Sequence, residues 1–171
     1  MRTFIAIEIP EDIKKEIIKV QNSLPEFKGK KTEVENLHLT LKFLGEVEEK
    51  KLEEIKKRLG KIKLKSFESE IKEIGMFSDR IIWLRITNCE ELQKQIDEKL
   101  KGLFEGEERF MGHLTIARIK ELKDRKKFLT ELKKIKIPEM RFYIENFNLK
   151  KSNLSKKGPV YEDIGVYDLK I

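Results

Sequence analysis

The stretch His38-Leu39-Thr40-Leu41-Lys42-Phe43-Leu44-Gly45 returns 75 residues later as His113-Leu114-Thr115-Ile116-Ala117-Arg118-Ile119-Lys120. Both copies read His-Leu-Thr-aliphatic, and between them they hold the only two histidines of the chain. Each reads as a β-strand, in which residues i and i+2 point the same way, roughly 6–7 Å apart. His38 and Thr40 then share one face, with Leu37, Leu39 and Leu41 on the other. His113 and Thr115 likewise share a face against Leu114 and Ile116. Each strand has an apolar back suited to packing under helices and a front that carries an imidazole and a hydroxyl. Two such strands placed about a pseudo-twofold axis line one cleft with two imidazoles and two hydroxyls.

The rest of the chain alternates strands and helices around these segments. Arg2 to Ile9 reads as a strand, with Thr3, Ile5, Ile7 and Ile9 on one face and Phe4, Ala6 and Glu8 on the other. Pro10 suits a first helical position and Glu11 and Asp12 a helix N-terminus, so a helix follows with Ile13, Ile17 and Ile18 as its stripe. Leu24 to Lys31 reads as loop, Glu35 to Leu44 as a second strand, and Glu48 to Leu59 as a helix through Leu52, Ile55 and Leu59. Phe67 to Ile74 and Ile81 to Ile86 read as a hairpin that turns at Ser78-Asp79-Arg80. Glu90 to Leu103 is a helix, His113 to Ile119 a strand and Lys123 to Lys134 a helix. Phe142 to Lys150 and Val160 to Leu169 read as two long strands joined through Ser152 to Pro159. Interleaved helices with short connections predict an α+β or α/β fold. No Ser/Gly-rich linker divides the chain, so residues 1–171 are expected to form one domain.

Composition narrows the class. The 171 residues are 39% hydrophobic and 40% charged, enough apolar mass for a core despite the high charge. No apolar run approaches the roughly 20 residues of a membrane helix, and the alternating start with an acid at Glu8 is unlike a secretory signal. A single cysteine, Cys89, excludes an internal disulfide and a thiolate metal site. A reducing, cytoplasmic setting is the expectation. The 38 basic against 31 acidic residues give a net charge of +7, which favours a polyanionic partner, nucleic acid first. Lys–Glu alternation, as from Glu46 to Lys57, is chiefly a solvated helix face. The Lys, Glu and Ile bias fits a thermophile or a skewed genome composition.

Two histidines with two hydroxyls suit phosphoester cleavage. A neutral imidazole takes a proton from the nucleophile, and an imidazolium gives one to the leaving oxygen. An unperturbed pKa of about 6.5 lets histidine serve either way. Threonine hydroxyls can hold non-bridging oxygens as charge builds. A lone histidine here would be structural more often than not, but a matched pair in matched contexts points to chemistry. A two-histidine metal site is the alternative. Zinc takes three or four protein ligands, and neither His-x-Thr segment carries Asp or Glu, so neither metal nor cofactor is expected.

His38-x-Thr40 and His113-x-Thr115 resemble the paired motifs of the two-histidine phosphoesterase superfamily. The LigT-like branch, RNA 2′,3′-cyclic phosphodiesterases, is the nearer match. It extends to Arg2-x-Phe4-Ile5-Ala6-Ile7, to Gly112 through Arg118, and to Ser152-x-Leu154-x-x-x-Gly158-Pro159-x-Tyr161. The resemblance implies an α+β, bilobal fold: a pseudo-twofold pair of antiparallel sheets flanked by helices, with the active-site cleft between lobes. It implies metal-independent hydrolysis of RNA 2′,3′-cyclic phosphate ends to 2′-phosphates, and a weaker reversible 2′-5′ RNA ligation. It casts His38 as proton donor to the 3′-oxygen and His113 as the acceptor that activates water, with Thr40 and Thr115 beside them. Five residues after each histidine, Phe43 is implied to pack on the nucleoside and Arg118 to clamp the phosphate. Strict alternation turns both away from the cleft, so either the strand twists or bulges there or one role does not transfer. Gly112 stands where many relatives carry proline.

Lys42 shares the parity of His38 and Thr40 and is expected at the cleft mouth, where it would meet RNA backbone. Tyr161 and Ser152 are expected at the rim. The implied partner is RNA with cyclic phosphate ends, tRNA halves among the candidates, bound by a monomer with no membrane association. A small cyclic nucleotide is the alternative substrate. A non-catalytic RNA-binding module is the alternative class, although RNA binding alone needs no pair of His-x-Thr segments.

Overall fold

β1 (Arg2–Glu8) opens the chain, and α1 (Glu11–Asn22), β2 (Lys28–Lys31), β3 (His38–Glu46) and α2 (Glu49–Leu59) follow. β4 (Phe67–Phe77) and β5 (Ile81–Ile86) form a hairpin, then come α3 (Glu90–Lys99), β6 (His113–Glu121) and α4 (Arg125–Lys133). β7 (Met140–Ile144), β8 (Asn146–Ser155) and β9 (Gly158–Asp168) close it. The structure, a computed structural model, describes residues 1–170. Among these no helix is long and apolar enough to cross a membrane.

The helices form where an apolar stripe meets suitable ends. α1 starts after Pro10, carries Glu11 and Asp12 in its first turn and Lys19 in its last, and buries Ile13, Ile17 and Val20. Charges of those signs at those ends complement the helix dipole. α2 buries Leu52, Ile55 and Leu59 and ends on Lys56, Lys57 and Arg58. α4 is capped by Asp124, whose side chain accepts from the Lys127 N–H at 3.1 Å.

All the strands pair antiparallel, in two sheets of order β3-β1-β8-β9 and β2-β6-β5-β4-β7. The second order repeats the first strand for strand, β6 for β3 and β5 for β1, with β2 added outside β6. This is the pseudo-twofold that the His-x-Thr repeat implies. The connections cross between the lobes: α1 leaves β1 of the four-stranded sheet and packs on β6 and β7 of the other. α4 packs on β4, and α2 against α3. The buried side chains form one continuous apolar cluster, from Ile5 and Leu39 through Leu84 and Leu114 to Phe147.

Several expected boundaries move. Lys28–Lys31 is an edge strand on β6, not a loop, and all four residues are exposed, so no alternation marks it. β3 begins at His38; Val34–Asn36 before it is a 3₁₀ turn. The single strand expected from Phe142 to Lys150 is two. Met140–Ile144 pairs with β4 and Asn146–Ser155 with β1 and β9, so the chain changes sheets at Glu145. The expected Ser152–Pro159 connection is mostly ladder, with Ser155 opposite Gly158 across a two-residue turn.

Candidate active site

A bulge decides what each His-x-Thr strand presents. Opposite β1, Thr40 pairs with Ala6 and Lys42 with Ile5, which leaves Leu41 without a partner. Opposite β5, Thr115 pairs with Trp83 and Ala117 with Ile82, which leaves Ile116 without one. Two successive residues therefore turn to the core in each strand, Leu41 with Lys42 and Ile116 with Ala117, and the alternation reverses after them. Phe43 and Arg118 come out exposed on the face of His38 and Thr40, and of His113 and Thr115, respectively. The bulge removes the parity conflict, because it puts both side chains on the same face as the histidine of their strand.

The histidines are anchored alike. Nδ1–H of His38 donates to the Asn36 carbonyl at 2.7 Å, and Nδ1–H of His113 to the Met111 carbonyl at 2.8 Å. A carbonyl only accepts, so each Nδ1 keeps its proton and each Nε2 is left for chemistry. The Thr40 hydroxyl then donates to Nε2 of His38 at 2.9 Å. The strand entry to His113 is tight: a Cβ on Gly112 would fall 2.4 Å from the Ile86 carbonyl oxygen. The Ile86 N–H bonds the Gly112 carbonyl there at 2.8 Å.

His38 sits among rings. Phe4 lies 5.1 Å from it, tilted, and Tyr161 5.1 Å from it, edge to face at 88°. That burial lowers its pKa to about 4, helped by the charges of Lys150 and Arg118 and opposed by the Asn36 hydrogen bond and Glu8. Arg118 belongs to the other sheet, but β3 and β6 pack side by side across the two sheets, so the two fronts lie next to one another. Phe43, 69% exposed, lies 6.2 Å from Phe4 at the edge of the same ring cluster. Ser152 stands opposite Tyr161 on β9 and Arg2 on β1, half-buried, on the far wall of this face.

Lys42 is not at the cleft mouth. The bulge turns it inward, where its side chain is 2% exposed and donates to Asp97 at 2.7 Å and to the Glu105 carbonyl at 2.5 Å. Burial raises the Asp97 pKa, but Lys42, the Glu107 N–H and Gln93 outweigh it and hold the carboxyl below its ordinary value. The Lys42 cluster fastens α3 to the loop that leads into His113.

Other residues of the site gave no signal of their own in the sequence. Glu8 stands directly opposite His38 in the ladder. It bonds Lys150, which also donates to Asp163 at 2.7 Å. Phe4 lies under His38, and Phe77 stands 5.2 Å from His113, edge to face at 87°. The period-2 reading did place Phe4 and Glu8 on one face, and that was the available clue. Among the described residues no group of three His, Cys, Asp or Glu side chains is placed to hold a metal ion. A surface cavity of about 840 Å³ between Pro25–Lys28 and α4 contains neither histidine.

Comparison with known proteins gives the family and the fold. The family model described as "LigT like Phosphoesterase" matches residues 7–83 and 86–161. An RNA 2′,3′-cyclic phosphodiesterase of Methanocaldococcus jannaschii is 42% identical over 96% of this chain and 98% of its own. One of Archaeoglobus fulgidus is 35% identical over 98% of this chain and 100% of its own. A crystal structure from Thermus thermophilus superposes with a TM-score of 0.81 at 25% identity, covering 99% of this chain and 98% of that one.

Proposed function

This chain belongs to the LigT-like phosphoesterases, and from that premise we propose that it is an RNA 2′,3′-cyclic phosphodiesterase that works by two-histidine acid–base catalysis. The observation that carries the mechanism is the matched anchoring of the imidazoles. Each Nδ1–H is tied to the carbonyl two residues earlier, so each Nε2 is left for chemistry, with the Thr40 hydroxyl 2.9 Å from that of His38 and Thr115 on the same strand face as His113. His113 Nε2 takes the proton of the attacking water. The water oxygen bonds phosphorus, the P–O3′ bond breaks, and the 3′-oxygen takes the proton of His38 Nε2, leaving a 2′-phosphate. Thr40, Thr115 and Arg118 hold the non-bridging oxygens as charge builds on them. Phe43 covers the nucleoside, and Tyr161 and Ser152 line its far side.

Donation by His38 requires a proton that the ligand-free site disfavours, since its pKa there is about 4. Burial causes most of that depression, and a phosphate anion beside Nε2 acts in the opposite sense. Substrate binding therefore favours the charged form of His38 that the acid role needs. The net charge of +7 favours oligoribonucleotides over mononucleotides. tRNA halves, a cytoplasmic setting and a monomeric state accord with this reading. The reverse chemistry, with a 5′-hydroxyl in place of water, is 2′-5′ ligation.

Incubating an oligoribonucleotide bearing a 2′,3′-cyclic phosphate with the protein in EDTA, and locating the product phosphate by ³¹P NMR, tests the reading. A 2′-phosphate is expected. A 3′-phosphate, or activity only with added metal, contradicts it. Faster turnover of a mononucleotide than of the oligomer transfers the function to small cyclic nucleotides.

A further inference from the structure

The two histidines take opposite parts, yet the repeat places them alike. Each opens its strand, each Nδ1 is bound to the carbonyl two residues earlier, and each is followed by Leu-Thr. The difference between them stands on the neighbouring strand. Opposite His38 in the ladder is Glu8 of β1, and opposite His113 is Arg85 of β5. β1 and β5 hold the same place in their sheets. Their registers agree at the next pair on that face, where Ala6 meets Thr40 and Trp83 meets Thr115. One position of the pseudo-twofold therefore carries an anion beside one histidine and a cation beside the other.

We propose that Glu8 and Arg85 are positioning residues of opposite sign that fix the direction of proton flow, the carboxylate favouring a proton on His38 and the guanidinium opposing one on His113. The proposal rests on the reading of His38 as the acid and His113 as the base.

Each charge is held by the third strand of its sheet, and the holders are reversed as well. Lys150 of β8 bonds Glu8 and also donates to Asp163 of β9 at 2.7 Å. Arg85 Nη1 donates to Glu73 of β4 at 2.9 Å. β8 and β4 are again equivalent strands. Anion then cation in one lobe becomes cation then anion in the other. An ion pair that only braces a sheet could stand either way round; here the sign beside each imidazole matches the part that imidazole takes.

The other charges near each ring give these two their weight. On the His38 side, Lys150 and Arg118 both oppose a charge on the imidazole, and the Tyr161 phenol of β9 is held neutral by burial. Lys150 acts more strongly there than Glu8, and Glu8 is the side-chain charge that works in favour of the imidazolium. Without it a protonated His38 faces two cations. The His113 face carries Arg85, then Arg118 further along β6, with Lys30 of β2 opposite Arg118 and bonded to Glu33 at 3.2 Å.

The test follows the two imidazole NMR signals against pH, in the free protein and with inorganic phosphate added, beside kcat on a 2′,3′-cyclic phosphate oligoribonucleotide. Glu8→Gln is expected to move the His38 midpoint to lower pH and Arg85→Gln the His113 midpoint to higher pH. Each shift should be roughly half a unit to one unit, less than a buried charge gives because both pairs are partly exposed. At neutral pH kcat should fall about three- to tenfold in Glu8→Gln, and Glu8→Asp should restore both readings. Arg85→Glu/Glu73→Arg keeps the ion pair and reverses its sign, so it should move the His113 midpoint further than Arg85→Gln does. A reversed pair that leaves that midpoint at its wild-type value makes the pair a brace and overturns the proposal. Midpoints that move the same way in Glu8→Gln and Arg85→Gln, or a Glu8→Asp variant no different from Glu8→Gln, overturn it too. Absence of cyclic phosphate turnover in the wild type removes the acid–base reading itself, and the proposal with it.

Discussion

Phe43 and Arg118 occupy the same place in two copies of one strand, five residues after their histidines, and a bulge in each strand turns both to the cleft. One is an exposed ring beside Phe4, the other a cation whose charge reaches His38. The pseudo-twofold supplies two equivalent positions, and the sequence fills them differently, one with a ring and one with a cation. Arg118→Gln is expected to lower kcat/KM about a hundredfold, and Phe43→Ala to raise KM about tenfold. Both side chains are exposed, so stability should stay within about 0.5 kcal/mol. Chemical denaturation with steady-state kinetics checks this, and a large stability loss would make Phe43 a core residue.

The bulge in β6 has its own support. The carbonyl of Ile116, left out of the β5 ladder, accepts from the Thr32 N–H and from Nε2 of buried Gln21, each at 2.9 Å. The same Gln21 amide donates to the Thr32 carbonyl at 3.0 Å. Gln21→Leu leaves these carbonyls short of a donor and should cost about 1–3 kcal/mol. With the bulge loosened, kcat should fall as Arg118 loses its aim. Unchanged unfolding free energy would show that the bulge needs no such brace.

His38 gives a pH signature. Its pKa in the folded, ligand-free protein is about 4, below the ordinary 6.5, because burial disfavours its charge. The stability it contributes is therefore complete above about 6.5 and is lost as pH falls from there towards 4. His38→Gln should flatten that part of the stability profile. In the wild type, the His38 imidazole NMR signal should titrate near 4 and move upward when inorganic phosphate is added. A free-protein titration near 6.5, unmoved by phosphate, would leave the acid role without its arming step.

Lys42 marks a contact that only the fold reveals. Its partner Asp97 lies on α3, with Lys42 Nζ 2.7 Å from the carboxylate. Lys42→Met leaves Asp97 without its cation and should cost towards the lower end of about 3–5 kcal/mol, with Lys42→Met/Asp97→Leu less damaging than the single change. RNA affinity of the folded variant should keep the salt slope of the wild type, because Lys42 meets no phosphate. A shallower slope would put Lys42 back at the cleft.

The candidate site residues were legible because the chain repeats them. His38, Thr40, His113 and Thr115 stand out as a matched pair, and the apolar backs of their strands place them on the core. The bulges were legible only as one way out of the parity conflict at Phe43 and Arg118, because Leu41-Lys42 and Ile116-Ala117 keep an unbroken strand pattern whose parity only the partner strand corrects. Lys42 was misplaced for the same reason. β2 was missed because Lys-Gly-Lys-Lys has no apolar face; an edge strand held by backbone pairing needs none. The sheet change at Glu145 does leave a mark, a shift of parity from Met140, Phe142 and Ile144 to Phe147 and Leu149, which a reading of one continuous strand passes over. Phe77 is one of ten phenylalanines, and only the turn at Ser78-Asp79 brings it to His113.

The central claim is that His38 and His113 act as one acid–base unit. It is tested most directly by the hydrolysis rate of a 2′,3′-cyclic phosphate oligoribonucleotide, in EDTA, with wild type, His38→Ala, His113→Ala and the double variant. Each single change is expected to lower kcat by on the order of 10²–10⁴ with the fold intact, and the double variant should lose far less than the product of the two. Near-normal turnover in either single variant, or losses that multiply in full, would contradict it.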